Sequence, residues 1–523
     1  MLRRVLLLCL LLFCYASAGL STRAQTPPDV PVCPSTGKLI CTLPEVYGIN
    51  GLQQKIGPLQ SGTMAGTGHL GGHFEADFIN SLAPLNAAVG SELTLLPLGS
   101  PGSGLVYVYD PTLKTFTAST VDLGPILTER ANTTGRHKVR VGFTYQRFSF
   151  SSLDGTNVHS LPASFTHIDD ANPSEMTGNQ VPVQPPGGPF VNCSITTPSP
   201  AGSSSTGLCG FVRDRIDTVT NLNLRLNQYT ASATFGLTNR IDVSLAIPII
   251  NVGMDLSSVA TIINNSNTDD HVFKSDPSCP TTPCRQRTFT NSSSATGIGD
   301  IVLRAKGVVW SGERAAVAVG ADLRFPTGDE LNFLGSGTYG FTPFAVFSYS
   351  ARVSPHVNVG FEENGNSVLA GDIIAPTSTT PSSLTKGHLP NQFLYSGGAD
   401  VVIIKTRFAG TFDLIGQRVF NARRETAVTQ SFLGACGPND STGMPLAPKD
   451  TANSNGYCTS PAANVSQPTL TPTKGSFNII NASLGAKVRV SNKLVIFGNA
   501  LIKLDEGGLR ATVVPLVGAS FSF

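Results

Sequence analysis

Only 13% of the 523 residues carry charge, about half the ~25% usual for soluble domains, and the 53 glycines exceed the usual ~7% share. This balance disfavours a water-soluble enzyme, and a formal net charge of +2 without any basic block speaks against a nucleic-acid partner. After the N-terminus the longest apolar run, Val243 to Met254, is broken by Pro248 and falls short of the ~18 to 20 residues of a spanning helix, which excludes a helical membrane protein.

The chain opens with Arg3 and Arg4, an apolar run from Val5 to Tyr15, and Ala16-Ser17-Ala18, the three regions of a cleavable secretory signal. Cleavage after Ala18 or after Ala24 fits, so residues 1–24 are assigned as signal. Cys14 lacks the small residues that a lipobox places ahead of its cysteine. The stretch 25–98, rich in Gly and small residues, reads either as a plug inside a lumen or as a periplasmic extension. Within it His69 and His73 share the spacing of one helical turn, but Gly71 and Gly72 argue against a helix, and a polar loop is favoured over a metal site. No metal or cofactor is implied.

Eight cysteines remain after the signal, in neighbouring pairs: Cys33 with Cys41, Cys193 with Cys209, Cys279 with Cys284, and Cys436 with Cys458. In an exported chain an even set reads as disulfides. A zinc site needs two clusters of C-x2-4-C type, and only Cys279 to Cys284 comes near.

From residue 136 onward, runs that alternate apolar and polar residues recur, the period-two signature of a membrane barrel. The strands expected are 136–150, 217–237, 241–254, 297–310, 315–328, 339–351, 356–367, 391–404, 407–419, 476–490, 494–504 and 511–523. Two weaker runs, Ser103 to Asp110 and Thr115 to Gly124, raise the count from twelve to fourteen. The fold expected is therefore all-β: an antiparallel transmembrane barrel of 12 to 14 strands with long extracellular loops, occupying 99–523.

The hairpin about Ser311 to Arg314 is the clearest. Asp300, Arg304 and Lys306 share one face of its first strand, and Asp322 and Arg324 one face of its second. Arg140 in the first strand, and Lys487 and Arg489 near the end, occupy equivalent positions. In a closed barrel these charged residues line a watery lumen. Connections alternate between tight turns, such as 238–240 and 491–493, and long loops that hold three of the cysteine pairs. Bacterial barrels keep short turns inside the periplasm and long loops outside. Polar residues also cover one face of a sandwich strand, so the barrel is preferred on the stapled loops, the scarcity of charge and the terminal Phe523.

Thr296 to Asp300 with Leu303, Ala305 and Lys306, then Leu323 to Asp329 and Leu334 to Gly337, resemble the family named Putative MetA-pathway of phenol degradation, close to the FadL-like channels. The likeness is best over 296–364. It implies a bacterial outer-membrane channel, not an enzyme, that passively admits small hydrophobic or aromatic molecules. The partners expected are outer-membrane lipid, a small-molecule solute, and the barrel assembly machinery acting on the terminal Phe523. A surface-binding or adhesion barrel acting through its stapled loops is the alternative. No Ser-centred elbow or P-loop accompanies these motifs.

Overall fold

The computed structural model describes residues 37–47, 56–58, 75–96, 107–110, 115–118, 128–166, 180–183, 191–194, 215–263, 271–273, 279, 284–374, 383–404, 407–433 and 464–523. Twelve strands form its frame: β1 (Val139–Leu153), β2 (Arg215–Gly236), β3 (Ile241–Ile263), β4 (Ile301–Ser311), β5 (Ala315–Phe325), β6 (Gly340–Tyr349), β7 (Val353–Asn364), β8 (Gln392–Ile404), β9 (Phe408–Leu433), β10 (Asn464–Arg489), β11 (Leu494–Lys503) and β12 (Val513–Ser522). Each pairs antiparallel with its successor, and β12 pairs with β1 through Val517↔Tyr145 and Phe521↔Val141, so the sheet closes. Closure leaves no unpaired edge, the condition for strands to stand in hydrocarbon. The two weak runs stay apart from it: Tyr107–Asp110 pairs with Thr115–Ala118 as a separate hairpin, and the barrel begins at Val139.

Alternation along the strands becomes inside against outside. Val141, Phe143, Ile241, Leu245, Val319, Leu323, Phe347, Val357, Phe412, Leu484 and Val517 stand exposed on the outer surface, while Gln146, Thr230, Asp242, Ser354, Asp400 and Asp413 are buried within. A soluble sandwich has no such apolar exterior over a charged interior. Val319 lies mid-strand between Gly307 and Ala345 and is 45% exposed. Val319→Arg is expected to cost about 2–4 kcal/mol, read as a lower urea midpoint for barrel unfolding in lipid vesicles. Ala318→Ser, on the inner face, is expected to shift that midpoint far less.

Several strands run well past the lipid zone. β9 pairs with β8 only over 408–419, and its outer half, 422–433, pairs with 464–475 of β10 alone. Gln286–Ile298 extends β4 outward beyond a break at Gly299-Asp300 and pairs with the outer half of β3. The loops expected over 255–296 and 420–475 are thus partly strand. Polar residues such as Ser292, Ser293 and Ser294 occupy them because water meets both faces there, which erases the period-two signal. Cys279 and Cys284 are bonded at a Cα separation of 5.8 Å beside this extension, and Cys41 is disulfide-bonded too. The bonding of Cys33, Cys193, Cys209, Cys436 and Cys458 lies outside the described residues, as do His69 and His73.

In the outer extension, Glu425 is fully buried and neither carboxylate oxygen has a hydrogen-bond partner. Its neighbour Asp154 is held by Arg424 at 2.6 Å and by the Glu425 amide at 3.2 Å. Burial, then the Asp154 charge, push the Glu425 carboxyl up to about 8. A folded-state acid held above its unfolded value binds its proton more tightly when folded. Stability is therefore full below the unfolded value of 4.5 and declines as pH rises toward 8. Raising pH from 5 to 8 is expected to lower the amide protection factors of 422–433, measured against intrinsic exchange at each pH, and Glu425→Gln to flatten that dependence; equal slopes in both proteins would refute the assignment.

Candidate functional site: a lumen occupied at both ends

An eight-stranded barrel is wide enough only for its own side chains, and larger barrels enclose cavities or channels. Twelve strands therefore leave space, and the N-terminal part of the chain enters it twice.

At the outer end, α1 (Thr42–Tyr47) follows the turn Leu39–Cys41 and is tied to the β4 extension by Asn291 Nδ2, which donates to Thr42 O at 3.1 Å and Glu45 Oε2 at 2.9 Å. A longer helix, α2 (Glu75–Leu93), is buried on every side from Leu85 to Leu93. Such all-round burial marks a helix enclosed by protein rather than one lying on a surface. Its end packs on the inner wall: Leu95 sits among Val419, Ala422, Phe477 and Ile479, and Leu95 O accepts from Gln417 Nε2 at 3.3 Å. Glu92 accepts from the Leu509 amide and fastens the helix to the loop after β11.

The loop between β5 and β6 folds inward against this helix. Asp300 accepts from Gly328 N at 3.1 Å, Ser336 N at 2.7 Å and the Ser336 hydroxyl, drawing both ends of the loop to the strand break. The backbones of Gly328 and Gly335 meet so closely that a Cβ on Gly335 would stand 2.3 Å from Asp300 Oδ1 and 2.7 Å from Gly328 Cα. Phe333, at φ 55°, and Leu334 are thereby pushed into the core, and Phe333 touches Gly90 of α2. A bulky residue in the left-handed region is strained, and it persists where its surroundings over-determine it. Lys38 Nζ on Asp329 at 2.7 Å and Leu39 N on Asn332 Oδ1 at 3.1 Å hold the loop from the other side.

At the inner end the segment 128–134 crosses the lumen. Arg130 Nη2 meets Asp400 Oδ2 on β8 at 2.7 Å, and Lys487 Nζ on β10 meets the other oxygen at 3.0 Å. Glu129 bridges Arg304 and Lys306 on β4, each at 2.8 Å, and Lys306 Nζ also donates to Arg130 O and Asn132 O. Thr134 N donates to Asp242 Oδ2 on β3 at 2.8 Å. The segment is thus moored to walls on both sides by buried charges, which are costly unless paired.

Each charged residue expected in the lumen has a definite place. Arg304 pairs twice with Asp322 as well as with Glu129. Arg324 donates to Glu362 at 2.7 Å and lies 3.7 Å from Asp300. Lys306 and Lys487 moor the inner segment, Arg140 is 5% exposed on the inner face, and Arg489 follows two positions after Lys487 on that face. Asp400, Asp413 and Glu362 join them; their mid-strand positions carried the same signal as Arg304. Glu129 and Arg130 lie outside any periodic run and had none.

Among the described residues His356 is an inner histidine with both a hydroxyl and a carboxylate in reach. Its Nε2 lies 2.8 Å from Thr128 Oγ1 and 2.7 Å from Asp413 Oδ1, while Nδ1 has no hydrogen-bond partner. A hydroxyl–imidazole–carboxylate relay needs its two partners on opposite nitrogens. With both on Nε2 the group is a structural clamp.

Between the two closures lies a cavity of about 310 Å³. Its outer roof is Gly90 to Leu96, its floor Thr128 and Glu129, and its walls the inner faces of β2 to β9. The closed sheet, its apolar exterior and its charged, chain-filled interior decide the class. This is a membrane-spanning β-barrel. Residues 205–389, spanning β2 to β7, match the family described as Putative MetA-pathway of phenol degradation. The match starts earlier than the stretch where the motifs were densest and includes all of them. No curated protein sequence matches the chain.

Among solved structures, an outer membrane channel from Pseudomonas putida F1 is similar at 10% identity, covering 75% of this chain and 98% of its own, with a TM-score of 0.36. A Pseudomonas aeruginosa FadL homologue is 8% identical over 74% of this chain and 88% of its own, with a TM-score of 0.24. The Ralstonia pickettii toluene transporter TbuX is 10% identical over 74% and 89%, with a TM-score of 0.23.

Proposed function

We propose that the protein is a passive outer-membrane channel for small molecules, held shut in this state by its own N-terminal region. The cavity between the two lumen-entering segments carries the reading: a chamber of about 310 Å³ lies inside the barrel wall, bounded at its two ends by chain that is not part of the wall. An outward apolar belt needs no such chamber. Residues 25–98 act as the outer plug, the mature chain starts after the 1–24 signal, and Phe523, 63% exposed after the last strand, serves as the assembly signal. Among the described residues the lumen charges Arg304, Lys306, Arg324 and Lys487 are each engaged in ion pairs with the wall or with the inner segment. The mixed apolar and polar lining suits small hydrophobic or aromatic solutes better than ions.

Planar-bilayer recording and liposome swelling test the proposal. The intact protein is expected to give small, brief conductances, and a form lacking residues 25–134 a steady, larger one with faster swelling in small sugars. A barrel that stays impermeable after this deletion, while keeping its heat-modifiable mobility, would show that the lumen is not a path.

A further inference from the structure

One wall of the cavity carries three side-chain amides, and their free hydrogen-bonding atoms are of known kind. Asn358, Gln392 and Gln417 line it from the adjacent strands β7, β8 and β9. Each side-chain amide has one end already engaged, which fixes its orientation. Asn358 Oδ1 accepts from Glu129 N at 3.1 Å, so Nδ2 is the free donor. Gln392 Nε2 donates to Glu362 Oε2 at 2.5 Å, so Oε1 is a free acceptor. Gln417 Nε2 donates to Leu95 O, and its Oε1 is likewise free. Gln392 and Gln417 are 2% and 7% exposed. Buried polar atoms without partners are costly and uncommon, and three on one wall of a chamber point to a ligand that satisfies them.

The charges lining the same chamber are already paired with opposite charges, Arg324 Nε being left 3.7 Å from Asp300 without a hydrogen bond. Arg304 is taken by Asp322 and Glu129, Arg324 by Glu362, and Asp300 by the inward loop. An ionic ligand must break one of these pairs. Across the lumen, Pro248 and Ile250 on β3 with Phe333 and Leu334 of the loop present apolar surface.

Resting on the channel reading, we propose that the chamber is a selectivity site for uncharged amphiphiles: solutes with an apolar body and a hydroxyl or primary amide head. The head donates to Gln392 Oε1 or Gln417 Oε1 and accepts from Asn358 Nδ2, and the body lies against the Phe333 side. A site built to hydrogen-bond a substrate hydroxyl discriminates strongly against the analogue without it, because its own groups are then left unpaired.

Equilibrium dialysis of the full-length protein in detergent against benzyl alcohol, toluene and benzoate, which share a ring and differ in head group, tests this. Benzyl alcohol is expected to bind at least about tenfold more tightly than toluene, with benzoate weakest. The double variant Gln392→Met, Gln417→Met is expected to lose that preference while still binding toluene. If it loses toluene as well, Asn358→Leu on the neighbouring strand decides on the same criterion. Toluene equal to or better than the alcohol, benzoate tightest, or a preference that survives both variants overturns the proposal. Conductance of the deleted form with no head-group preference in the intact one would sink the selectivity site and leave the channel standing.

Discussion

Replacing Glu129 and Arg130 together by Gln and Met is expected to raise single-channel conductance several-fold in the full-length protein without lowering the yield of folded barrel. The Arg130 and Asp400 side chains are each only 2% exposed. Breaking such a buried pair by removing one partner costs about 3–5 kcal/mol. The barrel wall retains compensation after the change: Lys487 still faces Asp400, and Arg304 still holds Asp322 through two bonds. The loss therefore falls on the mooring of 128–134 and not on the sheet. Lys306, whose amine is shared by Glu129 and two carbonyls of the segment, loses its anion and gains water when the segment leaves. Conductance unchanged from the parent, with the segment still protected from proteolysis, would mean that the inner closure is held by something other than these ions.

The second large effect is expected at Asp300. Its carboxylate alone ties Gly328 to Ser336, and hydrogen bonds to a charged acceptor contribute about 1.5–3 kcal/mol each. Asp300→Ala should free the loop 326–338, relax the strained Phe333 and withdraw Phe333 and Leu334 from α2. The readout is cleavage within 329–337 by added protease on the outer surface, together with a wider, noisier pore. Gly335→Ala reaches the same loop by another route, since its new methyl would collide with Asp300 Oδ1 and the Gly328 backbone. If both variants keep the loop protected, the inward fold is set by Lys38 and Asn332 contacts, and Asp300 is only an accessory.

These two sites differ in how far sequence could reveal them. The stretches Thr296 to Asp300 and Leu323 to Asp329 each end in Gly-Asp, and the meeting of these two ends follows from the register that sets Ile301 across from Phe325. What they do does not follow. Asp300 reads simply as a lumen charge, because period-two alternation reports the face of a residue and not the loop it will bind. Glu129 and Arg130 were silent, since a segment satisfied by contacts far away in the chain needs no local periodicity.

The sequence by itself determined the barrel. Lipid outside and water inside force every second side chain to be apolar, so twelve strands, their faces and their tight turns are written locally along the chain. Tertiary structure alone decided which chain segments enter the lumen, how far the outer strands run beyond the lipid, and which polar atoms remain free in the chamber. Those depend on buried charges finding partners hundreds of residues away, such as Arg130 with Asp400, and on desolvation that exists only once the chain has folded back into its own barrel.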